Sequence, residues 1–109
     1  MEIIQFKGVS ELSNEDQDTV KSLSTEYYPK IKRGLHNITS LELHVKAHSK
    51  GGGRSKYSIH LRAIAPTRIL EAQDDDWDLA RTLHKVFRNM ENEIKKVFDK
   101  EAYHKSHKL

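Results

Sequence analysis

At 109 residues, with 36% hydrophobic and 32% charged side chains, the chain fits one domain with a narrow core and is too apolar to be disordered. The absence of cysteine excludes a disulfide frame, a thiolate metal site and a thiol nucleophile, and it fits a cytoplasmic protein. A net charge of +3 is too small to mark a uniformly basic protein, so the distribution of charge matters more than its total.

The opening residues Met1-Glu2-Ile3-Ile4-Gln5-Phe6 lack the basic flank of a signal peptide, and no stretch approaches the ~18 apolar residues of a membrane span. Neither a leader nor a membrane partner is therefore expected. Residues 2–7 alternate weakly and predict a strand ending at Gly8. Ser13-Asn14-Glu15-Asp16 predicts a helix start: the Ser13 hydroxyl can accept from free backbone N–H groups, and acids suit the positive end of the helix dipole. Val20, Leu23, Tyr27, Ile31 and Leu35 follow at three- and four-residue steps, the spacing of one buried helical face. Pro29 is expected to kink that helix or start a fresh turn, and Gly34 to stop it.

Two stretches then alternate strictly. In 41–48 and again in 56–63, odd positions are apolar and even positions polar, with Ala47 and Ala63 the smallest of the apolar set. Each is a half-buried strand, and Ser49-Lys50-Gly51-Gly52-Gly53-Arg54 between them predicts a hairpin turn. If the turn centres on Gly52, Glu42 faces Arg62, His44 faces His60 and Lys46 faces Ser58. A slip of one residue would set buried against exposed positions, so the register is constrained. After Pro66 a short strand is expected over Thr67 to Ala72, and Asp74-Asp75-Asp76 are expected to open and cap the last helix. Its apolar rhythm is Trp77, Ala80, Leu83, Phe87, Met90, Ile94 and Val97. The fold class is α+β, ordered β-α-β-β-β-α, with a four-stranded sheet covered on one face by two helices in the manner of double-stranded-RNA-binding domains. The domain is placed at 1–104, with 105–109 as a tail.

Charge is segregated along this order. Residues 1–29 hold six acids and two bases, 30–68 nine bases and Glu42 alone as acid, 69–79 five acids and no base, and 80–109 eight bases and four acids. At 100° per residue, Arg81, Lys85, Arg88, Asn92, Lys95 and Lys96 fall on one stripe of the last helix, with Glu91, Glu93 and Asp99 beside it. Lys46, Lys56 and Arg62 join His44 and His60 on the open hairpin face. Lys30, Lys32 and Arg33 end the first helix, where the dipole alone accounts for some of them. These eleven cations are the candidate RNA-binding residues. A rigid cationic surface reads the phosphates and 2′-hydroxyls of A-form RNA by shape, and exposed aromatic platforms for single-strand stacking are scarce.

Other chemistry is weaker. His44 opposes His60, and His104 and His107 sit in the tail, but at most two ligands meet in any one place, where a durable metal site needs three or four. The Gly51-Gly52-Gly53 run lies inside a hairpin without the lysine and helix of a phosphate loop. No nucleophile, base and orienting group stand out, so neither catalysis nor a cofactor is expected.

The opening strand running into Gly8, the helix capped at Ser13, the paired alternating strands and Asp76-Trp77-Asp78-Leu79-Ala80 before a long basic helix together resemble the ribosome hibernation-promoting factor family, also called ribosome-associated inhibitors. The resemblance covers nearly the whole chain. It implies docking on small-subunit ribosomal RNA in the channel used by mRNA and tRNA, silencing idle ribosomes. It also implies RNA contacts at Arg81, Lys85, Arg88, Lys95 and Lys96, with Lys30, Lys32 and Arg33. Pro29 and the acidic start of the first helix depart from the family pattern. The short stretch after the long helix matches the family's short form, for which no ribosome pairing and a monomer or weak dimer are expected. The alternatives are a generic structured-RNA binder and an α+β protein-interaction or ligand-sensing module. The latter would carry acids interleaved with the basic stripe and bind with little dependence on salt.

Overall fold

The computed structural model describes residues 4–35, 40–50, 54–66 and 68–106. Its elements are β1 (Ile4–Lys7), a single 3₁₀ turn (Val9–Glu11), α1 (Asn14–Leu35), β2 (Ser40–Lys50), β3 (Arg54–Ala65), β4 (Arg68–Asp76) and α2 (Leu79–Ser106). The four strands form one sheet in the order β1-β2-β3-β4, with β1 parallel to β2 and the other pairs antiparallel. The expected α+β order is the observed one. The glycine tip of the hairpin, residues 51–53, and His107 lie outside the described residues.

The alternation in β2 and β3 produces the predicted register, with Glu42 opposite Arg62, His44 opposite His60 and Lys46 opposite Ser58. That parity sends Leu41, Leu43, Val45, Ile59, Leu61 and Ala63 to one face, where all are buried. Against them pack Val20, Tyr27, Tyr28, Ile31 and Leu35 of α1 and Leu79, Leu83, Val86, Phe87, Met90 and Ile94 of α2. Fully burying one such side chain contributes roughly 1.5–3 kcal/mol, which is how so polar a chain sustains a core.

The helix starts follow local chemistry. Ser13 caps α1: its Oγ accepts from the Asp16 N–H at 3.2 Å and its carbonyl from the Gln17 N–H at 2.9 Å. α1 then runs through Pro29 to Leu35 as one helix, so Pro29 starts no fresh turn, and it is exposed. Gly34 lies inside the helix, where its role is close approach: a Cβ there would stand 3.0 Å from Ile94 Cγ2 of α2.

Two expectations about the final helix are corrected. Asp74, Asp75 and Asp76 do not open it. They are the last residues of β4, paired with Ile59, Ser58 and Tyr57, because β3 offers a partner strand well past Ala72. The cap is Asp78, which accepts the Arg81 N–H at 2.8 Å through Oδ1 and the Thr82 N–H at 2.9 Å through its carbonyl. Trp77 therefore lies in the connection and not on the helix's apolar stripe, and it is 45% exposed. The buried rhythm starts at Leu79 and includes Val86. The helix continues to Ser106.

Gly8 holds the turn from β1 into the 3₁₀ segment at φ 80°, a left-handed conformation in which a Cβ would also collide with the Val45 carbonyl oxygen. Gly8→Ala should destabilise the protein by on the order of 2 kcal/mol or more, from left-handed strain and the displaced β2 backbone. Urea unfolding of the two proteins measures it, and an unchanged midpoint would show that this turn can relax.

Candidate nucleic-acid interface

Strand parity and helix phase decide where each cation goes. On α2, Arg81, Lys85 and Asn89 lean toward β4. Lys85 Nζ lies 3.3 Å from Asp74 Oδ1 and 3.2 Å from Asp76 Oδ2, and donates to the Asp75 carbonyl at 3.1 Å. Arg81 Nη1 is 3.5 Å from Asp76 Oδ1, and Asn89 Nδ2 donates to Asp74 Oδ2 at 3.1 Å. The β4 acids that sequence reasoning assigned to helix capping instead hold the N-terminal half of the basic stripe. The Trp77 N–H that Asp76 accepts holds its carboxyl below the ordinary range, with Lys85 and Arg81 adding to this against a desolvation cost. Burial opposes ionisation of Asp74, but the Asp75 N–H, Lys85 and Asn89 outweigh it and lower its pKa too. The same hydrogen bond to Asp76, with Asp74 adding to it, raises Lys85.

A different side of α2 packs on α1. Tyr27 of α1 bonds His84 Nδ1 through its hydroxyl at 2.7 Å and stacks on Phe87, with centroids 4.8 Å apart and planes 3° from parallel. Seven positions later Gly34 meets Ile94, so the helices run side by side in the same direction. Lys30 Nζ lies 5.2 Å above the Tyr27 ring. Arg88, one turn beyond His84, and Lys95, two turns further, continue along the same seam. Lys32, Arg33, Arg88 and Lys95 are exposed and make no ion pair or hydrogen bond among the described residues. Glu91 is the acid on this side of α2; it is half-buried, and its Oε1 has no hydrogen-bond partner. Lys96 sits on the opposite flank, 3.6 Å from Glu93.

The open face of the sheet is less basic than the hairpin alone implies, because β4 contributes Glu71 and Asp75. An ionic chain crosses all four strands. Lys7 lies 3.9 Å from Glu42, and Arg62 lies 3.3 Å from both Glu42 and Glu71. The Arg62 Nε contact is an ion pair without hydrogen-bond alignment. His60 Nε2 lies 3.3 Å from Glu71, and Lys56 lies 3.8 Å from Asp75. Lys46 is exposed and unpaired among the described residues. An open cleft of about 490 Å³ on this face is lined mainly by polar groups, including His44, Ser58, His60 and Gln73, unlike the enclosed apolar pockets that hold small ligands. No three metal-ligating side chains converge among the described residues, and no helix among them is long and apolar enough to cross a membrane.

The eleven predicted cations thus fall into three sets. Lys30, Lys32, Arg33, Arg88 and Lys95 gather along or beside the helix seam. Arg81, Lys85, Lys56, Arg62 and Lys96 are engaged by acids. Lys46 stands apart on the hairpin. Tyr27, which organises the seam with His84, reads in sequence as a core residue, and nothing short of the helix packing joins the two.

No protein-family model matches the sequence, and no curated protein aligns with it. Solved structures do match. A ribosomal subunit interface protein from Coxiella burnetii superposes with a TM-score of 0.64 at 15% identity, covering 89% of this chain and 96% of that one. The N-terminal domain of Protein Y from Thermus thermophilus superposes with a TM-score of 0.61 at 15% identity, covering 89% and 99%. The chain shares their fold over 89% of its length.

Because Asp74 and Asp76 have lowered pKa values in the folded state, the stability they contribute is present above the ordinary aspartate pKa of about 3.9 and is lost as pH falls through the lowered values. In Lys85→Met both carboxyls should titrate at higher pH and acid unfolding should begin at higher pH. Carboxyl carbon NMR and a circular-dichroism pH titration measure the two effects. Unmoved titrations would remove Lys85 as a cause.

Proposed function

We propose that the protein is a non-enzymatic, cytoplasmic ribosome-binding factor that silences translation by docking on small-subunit ribosomal RNA in the mRNA and tRNA channel, as a monomer or weak dimer. The observation that carries this reading is the row of cations along the α1–α2 seam, Lys30, Arg33, Arg88 and Lys95, without an ion pair among the described residues, on a fold shared with a ribosomal subunit interface protein. Packing of Tyr27 on Phe87 and the backbone approach at Gly34 hold the two helices in fixed relation, so the cations form a rigid array. Such an array suits A-form RNA, whose phosphates are spaced by shape and not by sequence. Each phosphate it neutralises releases counterions, so affinity should fall steeply with salt.

Engagement by acids lowers the standing of Arg81 and Lys85 as phosphate ligands relative to the seam. Acids interleaved with cations at that end of α2 are the mark of the protein-interaction alternative, which the test below therefore includes. Wild-type protein should co-sediment with the small subunit or whole ribosome on sucrose gradients at low salt and resist competition by excess tRNA. Lys30→Glu/Arg33→Glu/Arg88→Glu, all at exposed sites, should keep the fold and lose affinity on the order of 100-fold. Arg81→Gln/Lys85→Gln should lose far less. Full binding by the folded seam variant would overturn the site, and loss only in the Arg81/Lys85 variant would favour a protein partner at the β4 acids.

A further inference from the structure

The helix seam carries one acid that its cations leave alone. Glu91 stands on α2 seven residues beyond His84, close to the helical phase of Phe87 and Ile94, the two α2 residues that meet Tyr27 and Gly34 of α1. Arg88 is three residues before it and Lys95 four residues after it, the spacings at which helical side chains pair. Neither pairs with it, and Glu91 makes no ion pair among the described residues. Elsewhere on α2 acids and cations do meet: Glu93, on the opposite flank, lies 3.6 Å from Lys96, and Asp74 and Asp76 of β4 hold Lys85 and Arg81.

Such a group is ill-matched to a surface that only attracts phosphate. Glu91 is half-buried, and its Oε1 is shut off from water and accepts no hydrogen bond. A carboxylate repels phosphate, so one set between Arg88 and Lys95 subtracts from the attraction that those two exert. An ionised carboxylate is also an acceptor with nothing to donate. What it takes from a ligand is therefore a hydroxyl or an amine, never a phosphate oxygen. Seven residues of helix set Arg88 and Lys95 about 10.5 Å apart along the axis, with Glu91 between them. A backbone lying across both cations brings ribose to the interval. The ribose 2′-hydroxyl is the donor that an RNA backbone has and a DNA backbone lacks. The last torsion of a glutamate is broad and roughly two-fold, so a small rotation presents either oxygen to the exposed side.

We infer that Glu91 is the residue by which the seam selects RNA: its carboxylate accepts the 2′-hydroxyl of a ribose lying between phosphates held by Arg88 and Lys95. In RNA, a hydrogen bond to an ionised acceptor, stronger than a neutral one, offsets the repulsion that the same charge exerts on the phosphates. In a backbone without a 2′ donor the repulsion stands alone. Glu91 thus lowers affinity for polyanions in general and restores it for RNA, which is discrimination by a repulsive element. The inference deepens the RNA-binding reading above and rests on it.

The test uses the full chain and fluorescence anisotropy, with an RNA duplex of about 16 base pairs and the same duplex built of 2′-fluoro nucleotides, at about 50 mM salt. Fluorine keeps the A-form and every phosphate and removes the 2′ donor. Wild type should bind the RNA about 10-fold more tightly than the fluorinated duplex, the order of one hydrogen bond to a charged group. Glu91→Met should bring that ratio to about one, chiefly by binding the fluorinated duplex more tightly than wild type does. Glu91→Gln, which keeps an acceptor oxygen and loses the charge, should retain part of the preference. Glu93→Gln, on the opposite flank, should leave it whole. Circular dichroism verifies that each variant is folded. Equal binding of the two duplexes by wild type, or an undiminished preference in Glu91→Met, overturns the inference and leaves the seam reading intact. Equal tightening of both duplexes in Glu91→Met describes a carboxylate that only repels, and overturns it as well. A wild-type protein that binds neither duplex refutes the seam reading itself.

Discussion

The antiparallel pairing of β2 with β3, eleven residue pairs long, is the constraint from which the rest of the molecule follows. Because side chains alternate at every residue of a strand, one register gives one apolar face, and a slip by one would turn Leu43, Val45, Ile59 and Leu61 to water. That face determines where both helices lie. It also determines that Glu42, His44, Lys46, His60 and Arg62 share the open side, and that β4, added in register to β3, brings Glu71 and Asp75 to them.

Local charge is arranged by these contacts more than by sequence proximity. The basic stripe of α2 is continuous on a helical wheel, yet in the folded chain it is divided lengthwise. Arg81 and Lys85 lean over the edge strand, where Asp74 and Asp76 point toward α2 because they share the parity of Leu70 and Ala72. Arg88 and Lys95 are exposed and have no carboxylate partner among the described residues. The half-buried carboxylates of Asp74 and Asp76 stabilise the junction of β4 with α2.

The fold shared with the Coxiella burnetii and Thermus thermophilus proteins is reached at 15% identity, so what the chains have in common is an architecture. Function has to be argued from the sites placed on it. Here those sites are the cations along the helix seam and the acids at the end of β4 that engage Arg81 and Lys85.

Strand alternation in 41–48 and 56–63, the Ser13 cap and the three-four rhythm of both helices were readable without coordinates, because each depends on neighbours within a few residues. The register followed too, since hairpin pairing is set by a local turn and a period of two. Other features needed the tertiary structure. Asp74-Asp75-Asp76 carries the composition of a helix start, and only the length of β3 makes it strand. Gly34 carries the signal of a helix stop, and only Ile94 of α2 makes it a contact point. Sequence alone determined how many cations there are and on which element each lies. Which of them remain free was decided by packing, because a salt bridge depends on distances between elements far apart in the chain, and neither helical phase nor strand parity encodes those distances.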